Sequence, residues 1–166
     1  MYRSPTPPAG VPRALSADEL LHAFGEPVAH LADPPAHWRV NHDCQRFDDH
    51  LTDIEVQYIH GTEHQVVVRT TRPAPRGGIL APDILLAGFF RTYLANYSDT
   101  PDPEALTATV PGPETVLHLD GAEITAATLT APGHHAFAAR NGERAILVAA
   151  STRHAVTAHH LRLVTR

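Results

Sequence analysis

Two turn dipeptides near the C-terminal end of the chain, Asp120-Gly121 and Asn141-Gly142, constrain the fold more than any other feature of the sequence. Asp-Gly and Asn-Gly pairs are preferred in two-residue turns between antiparallel strands, because these turns need residues that accept a positive φ. Short apolar and alanine-rich runs flank both dipeptides. The sequence therefore predicts consecutive antiparallel strands over this region.

The turns also predict which residues face each other. Counting from the first turn places His118 opposite Glu123, and counting from the second places Phe137 opposite Ile146. A carboxylate beside an imidazole favours the protonated ring, so His118 and Glu123 are a candidate catalytic acid–base pair. The alternative is a polar pair on the solvent face of a hairpin.

Two further segments have clear strand and helix signals. The β-branched runs on either side of Gly61-Thr62 predict another hairpin. Residues 82–97 are predicted to form the one long helix, because Pro82 suits a first helical position and apolar residues recur at three- and four-residue spacing. Gly88 lowers the stability of this helix relative to alanine, and close packing against a strand would explain its presence.

The N-terminal region combines a proline-rich segment with a short helix. Residues 1–15 contain four prolines and no apolar period, which predicts a flexible arm. Ser16 and Glu19 form a capping-box pattern, and a glycine follows at helical distance, so we expect a helix over residues 17–24. The prolines of residues 25–36 indicate a connector.

These elements together predict an α+β protein. We expect an antiparallel β-sheet of about six to eight strands packed on one long central helix, with a short N-terminal helix. Residues 16–166 are expected to form a single α+β domain, because the chain has the usual length of one domain and no shift in composition divides it.

Composition restricts the partners and the compartment. The net charge of −5 gives no general footprint for nucleic acid, and the most apolar window is too short to span a membrane. A single cysteine and the lack of a signal-peptide pattern predict a cytoplasmic location. Abundant alanine, arginine and proline without lysine suggest a bacterial source. The thirteen histidines leave a pH-responsive role open, since protonating all of them would reverse the sign of the net charge.

The segment HWRVNHDCQRFDDH, residues 37–50, is the densest group of potential metal ligands. If it is a strand, His42 and Cys44 share one face, and His50 or Asp48 must fold back to complete a zinc site. We favour a strand followed by a solvated turn, because the spacing matches no zinc-finger pattern. Cys44 is then expected to be a small buried thiol, since neighbouring carboxylates disfavour a reactive thiolate.

The run RTTRPAPR is the only dense basic segment, and it contains Arg69, Arg72 and Arg76. Guanidinium groups in such a run can bind phosphate or an acidic surface of a partner protein. The alternative is a solvated strand end and loop, which suits a chain that is acidic overall.

Motifs of several enzyme classes are absent from the sequence. It contains no GxGxxG, no phosphate-binding loop with its lysine, no GxSxG and no HExxH. We therefore interpret the chain as a non-catalytic cytosolic domain without a cofactor that binds another protein or a second copy of itself, as small immunity, assembly and regulatory proteins do. The alternative is a small-molecule-binding or zinc-dependent enzyme that uses the cluster at residues 37–50.

Overall fold

The computed structural model describes residues 15–47, 50–73, 81–97 and 109–165. Of the described residues, 54% lie in strands and 23% in helices, and a ten-stranded sheet curls into a half-barrel with short helices beside it. The expected α+β sheet on one long central helix is therefore wrong. The predicted N-terminal arm lies outside the described residues except for Leu15, which packs against the core.

The strands are β1 (Val28–Leu31), β2 (Arg39–Phe47), β3 (His50–His60), β4 (Glu63–Thr71), β5 (Val110–Pro111), β6 (Thr115–Leu119), β7 (Ala122–Ala131), β8 (His134–Asn141), β9 (Arg144–Ser151) and β10 (His160–Val164). The helices are α1 (Ala17–Phe24), α2 (Pro82–Asn96) and α3 (Ala155–Ala158), with a 3-10 turn at Thr152–His154. The strands pair in the order β1-β10-β6-β7-β8-β9-β4-β3-β2, and β5 pairs with β7 beside this series. Of the described pairings, β10 with β6 is parallel and the others are antiparallel.

Strand β7 connects the two parts of the curled sheet. Its first half, Ala122–Ala126, pairs with β6, and its second half, Ala127–Ala131, pairs with β8. Irregular register in the β2–β3 and β3–β4 ladders adds local twist at the other side of the sheet. Strand β1 lies across β3 and β4, where two of its backbone N–H groups are bound by side chains.

Two apolar clusters lie on opposite faces of the sheet. The inner cluster combines Leu21 and Phe24 of α1 with residues of the curled strands. The outer cluster joins Leu86, Phe90 and Leu94 of α2 to β4, β7, β8 and β9. Helix α2 therefore covers only part of the outer face, while the sheet closes the inner face by its own curvature. This difference explains why a helix-centred core was the wrong expectation.

The first predicted hairpin register is confirmed. Asp120 has φ 49° and Gly121 has φ 80°, so both central residues of the turn adopt the positive φ that a type I′ turn needs. His118 then pairs with Glu123, as expected from counting.

The second predicted register is wrong. Gly142 has φ 65°, but Asn141 does not have a positive φ, so the two-residue loop begins one position later, at the glycine. Phe137 therefore lies opposite Val148 and not opposite Ile146. Glycine at the first central position is typical of a type II′ turn, which accounts for the shift.

Of the remaining local predictions, some are confirmed and others are wrong. The capping box at Ser16 and the hairpin at Gly61 are confirmed, and α2 ends within one residue of its expected boundary. The connector predicted over residues 25–36 is wrong in part, because β1 lies within it. Close packing at Gly88 is also wrong, since a Cβ atom added there would meet no atom within 4 Å. No helix in the described part of the chain has the length and apolarity needed to cross a membrane.

Candidate functional site

The candidate site is the outer edge of β2, the strand that ends the sheet on that side. The N–H of Arg72 donates to the carbonyl oxygen of Thr52 at 3.0 Å, so even-numbered residues of β3 direct their backbone groups to β4. Odd-numbered residues of β3 therefore face β2. The β2–β3 register then directs the N–H and C=O groups of Val40, His42 and Cys44 away from the sheet. Among the described strands, none pairs with this edge.

One of these edge groups is covered from within the strand. The N–H of Cys44 donates to Oδ1 of Asp43 at 2.8 Å. Such local bonds compete with strand pairing, but this one leaves the neighbouring edge groups of Val40 and His42 in place. Val40 is also 43% exposed, which makes it one of the large apolar side chains at the surface.

A polar network holds the outer face of β2 against β3 and α2. At its centre, Nη2 of Arg69 lies 2.8 Å from Oε2 of Glu55, and both side chains are largely buried. Nε2 of Gln57 and the Tyr97 hydroxyl both donate to Oε1 of Glu55, at 2.8 Å and 3.2 Å. Nδ2 of Asn41 then donates to Oε1 of Gln57 at 3.0 Å, which connects β2 to the network. A buried carboxylate with these partners fixes the position of the edge strand.

Burial dominates the electrostatics of this network. It raises the pKa of the Asp53 carboxyl, although a hydrogen bond from Thr71 opposes the change. Burial also raises the pKa of Tyr97 to about 12, and the adjacent Glu55 carboxylate adds to the effect. The Tyr97 hydroxyl therefore stays protonated and remains a hydrogen-bond donor at neutral pH.

A pocket of about 80 Å³ lies beside this network, lined in part by Asp43, Asp53, Arg69 and Tyr97. Small-molecule sites usually have volumes of roughly 300–1,000 Å³. A pocket of this size has room for ordered water rather than for a substrate. The network is therefore better explained as support for β2 than as a ligand site.

A histidine pair holds the inner face of β2. Nδ1 of His30 bonds to the Val28 carbonyl oxygen at 3.1 Å, and a carbonyl can only accept, so this nitrogen carries the proton. Nε2 of His30 must then accept from Nε2–H of His42, which lies 3.0 Å away. This contact joins β1 and β2, the two strands that end the sheet. Burial lowers the pKa of His30 to about 4 and also lowers that of His42, which keeps both rings neutral at pH 7.

The other end of the sheet is closed by side chains. The N–H of Ala29 donates to the Thr70 hydroxyl at 2.9 Å, and the N–H of Leu31 donates to the Tyr58 hydroxyl at 2.8 Å. These are the N–H groups of β1 that point away from β10. The two ends of the sheet therefore differ, since β1 is bound internally while β2 keeps an open edge in the described structure.

The structure does not bring the predicted zinc ligands together. His42 and Cys44 share the inner face, with Cys44 packed against the core. His50 is exposed at the start of β3. His42 pairs with Val56, which lies six positions further along β3, so roughly 20 Å of strand separates His50 from the level of His42. Asp48 lies outside the described residues, and the described part of the chain has no group of three potential ligands placed to hold a metal.

The structure uses two of the predicted basic residues internally. Arg69 pairs with Glu55 and lies over the Phe89 ring, 5.0 Å from its centre. Arg72 donates through Nη1 to the Phe24 carbonyl oxygen at 2.7 Å. Arg76 lies outside the described residues.

The candidate pair His118 and Glu123 sits in register at the first hairpin, with Glu123 exposed. His118 stacks on His160, with ring centres 4.6 Å apart and an interplanar angle of 8°. The described hydrogen bonds do not join His118 to Glu123 in a dyad. This region therefore has the geometry of a surface hairpin packed against β10.

The chain matches no protein-family model, and no curated protein resembles it significantly in sequence. Its candidate site is therefore derived from geometry. Sequence reasoning missed the edge because a free edge depends on strand order, which no local pattern encodes. A partial signal was present in RVNHD, residues 39–43, where polar and charged residues interrupt a strand that is otherwise suited to pairing.

Proposed function

We propose that this protein is a protein-interaction domain that receives a strand of its partner along the outer edge of β2. One observation carries the proposal: the β1 edge is bound internally by Tyr58 and Thr70, whereas no described strand pairs with the outward backbone groups of Val40 and His42. Strand addition to an open edge is a recurrent mode of protein recognition, in which main-chain hydrogen bonds supply the affinity.

The support on both faces of β2 favours this role. The Asn41–Gln57 bond holds one face and the His42–His30 contact holds the other. An edge strand that is fixed before binding loses little conformational entropy when a partner strand pairs with it. The pocket beside the network is too small for a substrate, so the network itself gives little support to a small-molecule site at β2.

We place this function in the cytoplasm. Cys44, the single cysteine of the chain, is a free thiol in the structure, which is suited to a reducing compartment.

The test uses backbone chemistry at position 40. Val40→Pro removes an N–H that points away from β3, so the fold should be retained while strand addition is lost. Val40→Thr changes the side chain but keeps both backbone groups, and it serves as the matched control. Asn41→Pro removes an N–H that pairs with β3, and it should lower the free energy of unfolding.

The readout is photo-cross-linking from β2. A photoreactive amino acid at the position of Gln45, in an extract of cells that express the protein naturally, should yield a specific adduct. We expect the adduct to persist with Val40→Thr and to disappear with Val40→Pro. Equal adducts from both variants, or none from either, would overturn the proposal.

A further inference from the structure

We infer that the strand received by β2 is β2 of a second copy of this chain, paired antiparallel about a twofold axis at Asn41. This inference rests on the proposed function, since it names the partner for the same edge.

The backbone limits how two copies can pair. In the regular part of β2, before the register shift that follows Gln45, the groups of Val40, His42 and Cys44 point outward, so symmetric antiparallel pairing there must join even-numbered residues through hydrogen bonds. Three twofold positions join at least two pairs of these residues, with the axis at Asn41, at His42 or at Asp43. The irregular register after Gln45 interrupts the strand beyond this region.

Charge selects among these three positions. An axis at Asn41 places Arg39 of each copy opposite Asp43 of the other, which makes two cross-strand ion pairs on the outer face. An axis at Asp43 places two carboxylates directly opposite each other, and an axis at His42 forms no ion pair. Opposite charges at facing positions stabilise a sheet, and like charges destabilise it, so the first position is favoured.

The side chains on the inner face agree with this choice. With the axis at Asn41, Val40 of each copy lies opposite His42 of the other. Val40 is 43% exposed in the single chain, and pairing would cover it with an imidazole whose pKa is already lowered by burial. Each Val40–His42 pair also exchanges two backbone hydrogen bonds across the axis.

The first test is association in solution. Sedimentation equilibrium of the full chain should show a monomer–dimer equilibrium that weakens as sodium chloride is raised, because salt screens the ion pairs. Arg39→Asp and Asp43→Arg should each raise the dimer dissociation constant by roughly tenfold, since both symmetric pairs become repulsive. The double variant with both changes should restore it. Arg46→Asp, which makes the same charge change beyond the register shift, is the control.

The second test fixes the register. In a Cys44→Ser background, Asn41→Cys places two thiols at the twofold axis, where facing Cα atoms are about 4.5 Å apart and within the range for a disulfide. Glutathione disulfide should therefore convert this variant to a covalent dimer. Gln45→Cys in the same background is the control and should stay monomeric.

The outcomes separate this inference from the proposed function. A chain that stays monomeric at millimolar concentration, or a dimer unaffected by Arg39→Asp and Asp43→Arg, would overturn the second-copy partner. If the cross-link from β2 then still depends on the Val40 backbone but reaches a different protein, the proposed function stands and this inference fails. A covalent dimer from Asn41→Cys with the charge-swap rescue supports both.

Discussion

The backbone N–H of Leu31 donates to the hydroxyl of Tyr58 across 2.8 Å, so a side chain of β3 takes the place of a missing neighbour strand. The Thr70 hydroxyl does the same for Ala29. Both contacts are buried, and a buried N–H that loses its acceptor costs about 1–3 kcal/mol. The curled sheet is therefore closed by two hydroxyl groups where a complete barrel would use a strand ladder.

Thr70→Val should lower the free energy of unfolding by about 1–3 kcal/mol, because it leaves the buried N–H of Ala29 without an acceptor. Urea denaturation followed by circular dichroism would measure the change. Thr92→Val makes the same hydroxyl-to-methyl change at an exposed threonine whose described hydrogen bond lies within α2, and it is the matched control. Equal losses for the two variants would contradict the role of Thr70 in closing the sheet.

Stability should fall as the pH falls from about 6.5 toward 4, because burial lowers the pKa of His30 from 6.5 to about 4. In this window the unfolded chain binds more protons than the folded chain, so acid favours unfolding. The neighbouring groups add to the effect, since protonated His42 and the charge of Arg162 both oppose a positive His30. Asp18 acts in the opposite direction on His42.

Urea midpoints measured across this pH range would check the expectation. His30→Gln should reduce the slope, and His135, whose pKa burial also lowers to about 4, should account for part of the remainder. The exposed His50 provides the control variant His50→Gln. The assignment to His30 fails if the His30→Gln and wild-type profiles are parallel.

Arg69→Met should destabilise the protein by about 3–5 kcal/mol, because it leaves the buried Glu55 carboxylate without its cation. The double variant Glu55→Leu/Arg69→Met should recover most of this loss, since neither charge of the pair remains. A double-mutant cycle from chemical denaturation would measure the coupling between the two residues. Arg91→Met, at an exposed position of α2, controls for loss of an arginine. Additive effects of the two single changes would show that the pair is not coupled.

Gly88→Ala should raise the free energy of unfolding by about 1 kcal/mol, because the position is helical and a Cβ atom there meets nothing within 4 Å. Gly121→Ala should have the opposite sign, since its φ of +80° strains any residue with a Cβ. Thermal unfolding of the two variants beside the wild type would show the contrast. Loss of stability in Gly88→Ala would mean that α2 needs the glycine for another reason.

Local signals in the sequence predicted local structure well. The capping box at Ser16, the turn at Asp120-Gly121 and the start of α2 at Pro82 each follow from the conformational preference of one or two residues. The shift at Asn141 shows the limit of such reasoning, because a type I′ turn at Asn141-Gly142 and a type II′ turn that begins at Gly142 both suit this sequence and differ in position by one residue.

The global arrangement could not be predicted in the same way. Strand β1 lies among prolines in a segment that has little strand character, and it forms because β10 and the hydroxyls of Tyr58 and Thr70 receive it. The edge of β2 is a candidate site only because strand order leaves it at the end of the sheet. Metal-ligand types at His42, Cys44 and His50 were visible in the sequence, but the register of β2 with β3 separates His50 from the other two.

The pairing of Val28 with Val164 has a consequence for synthesis on the ribosome. Helix α1 and β1 emerge early, yet the strand that receives β1 is the last one described along the chain. The hairpins between them can form as they appear, whereas the apolar surface of β1, which includes Val28 and Leu31, must wait for β10. We therefore expect nascent chains that have not yet reached β10 to expose that surface and to be recognised by chaperones, and release of the chain to coincide with closure of the sheet.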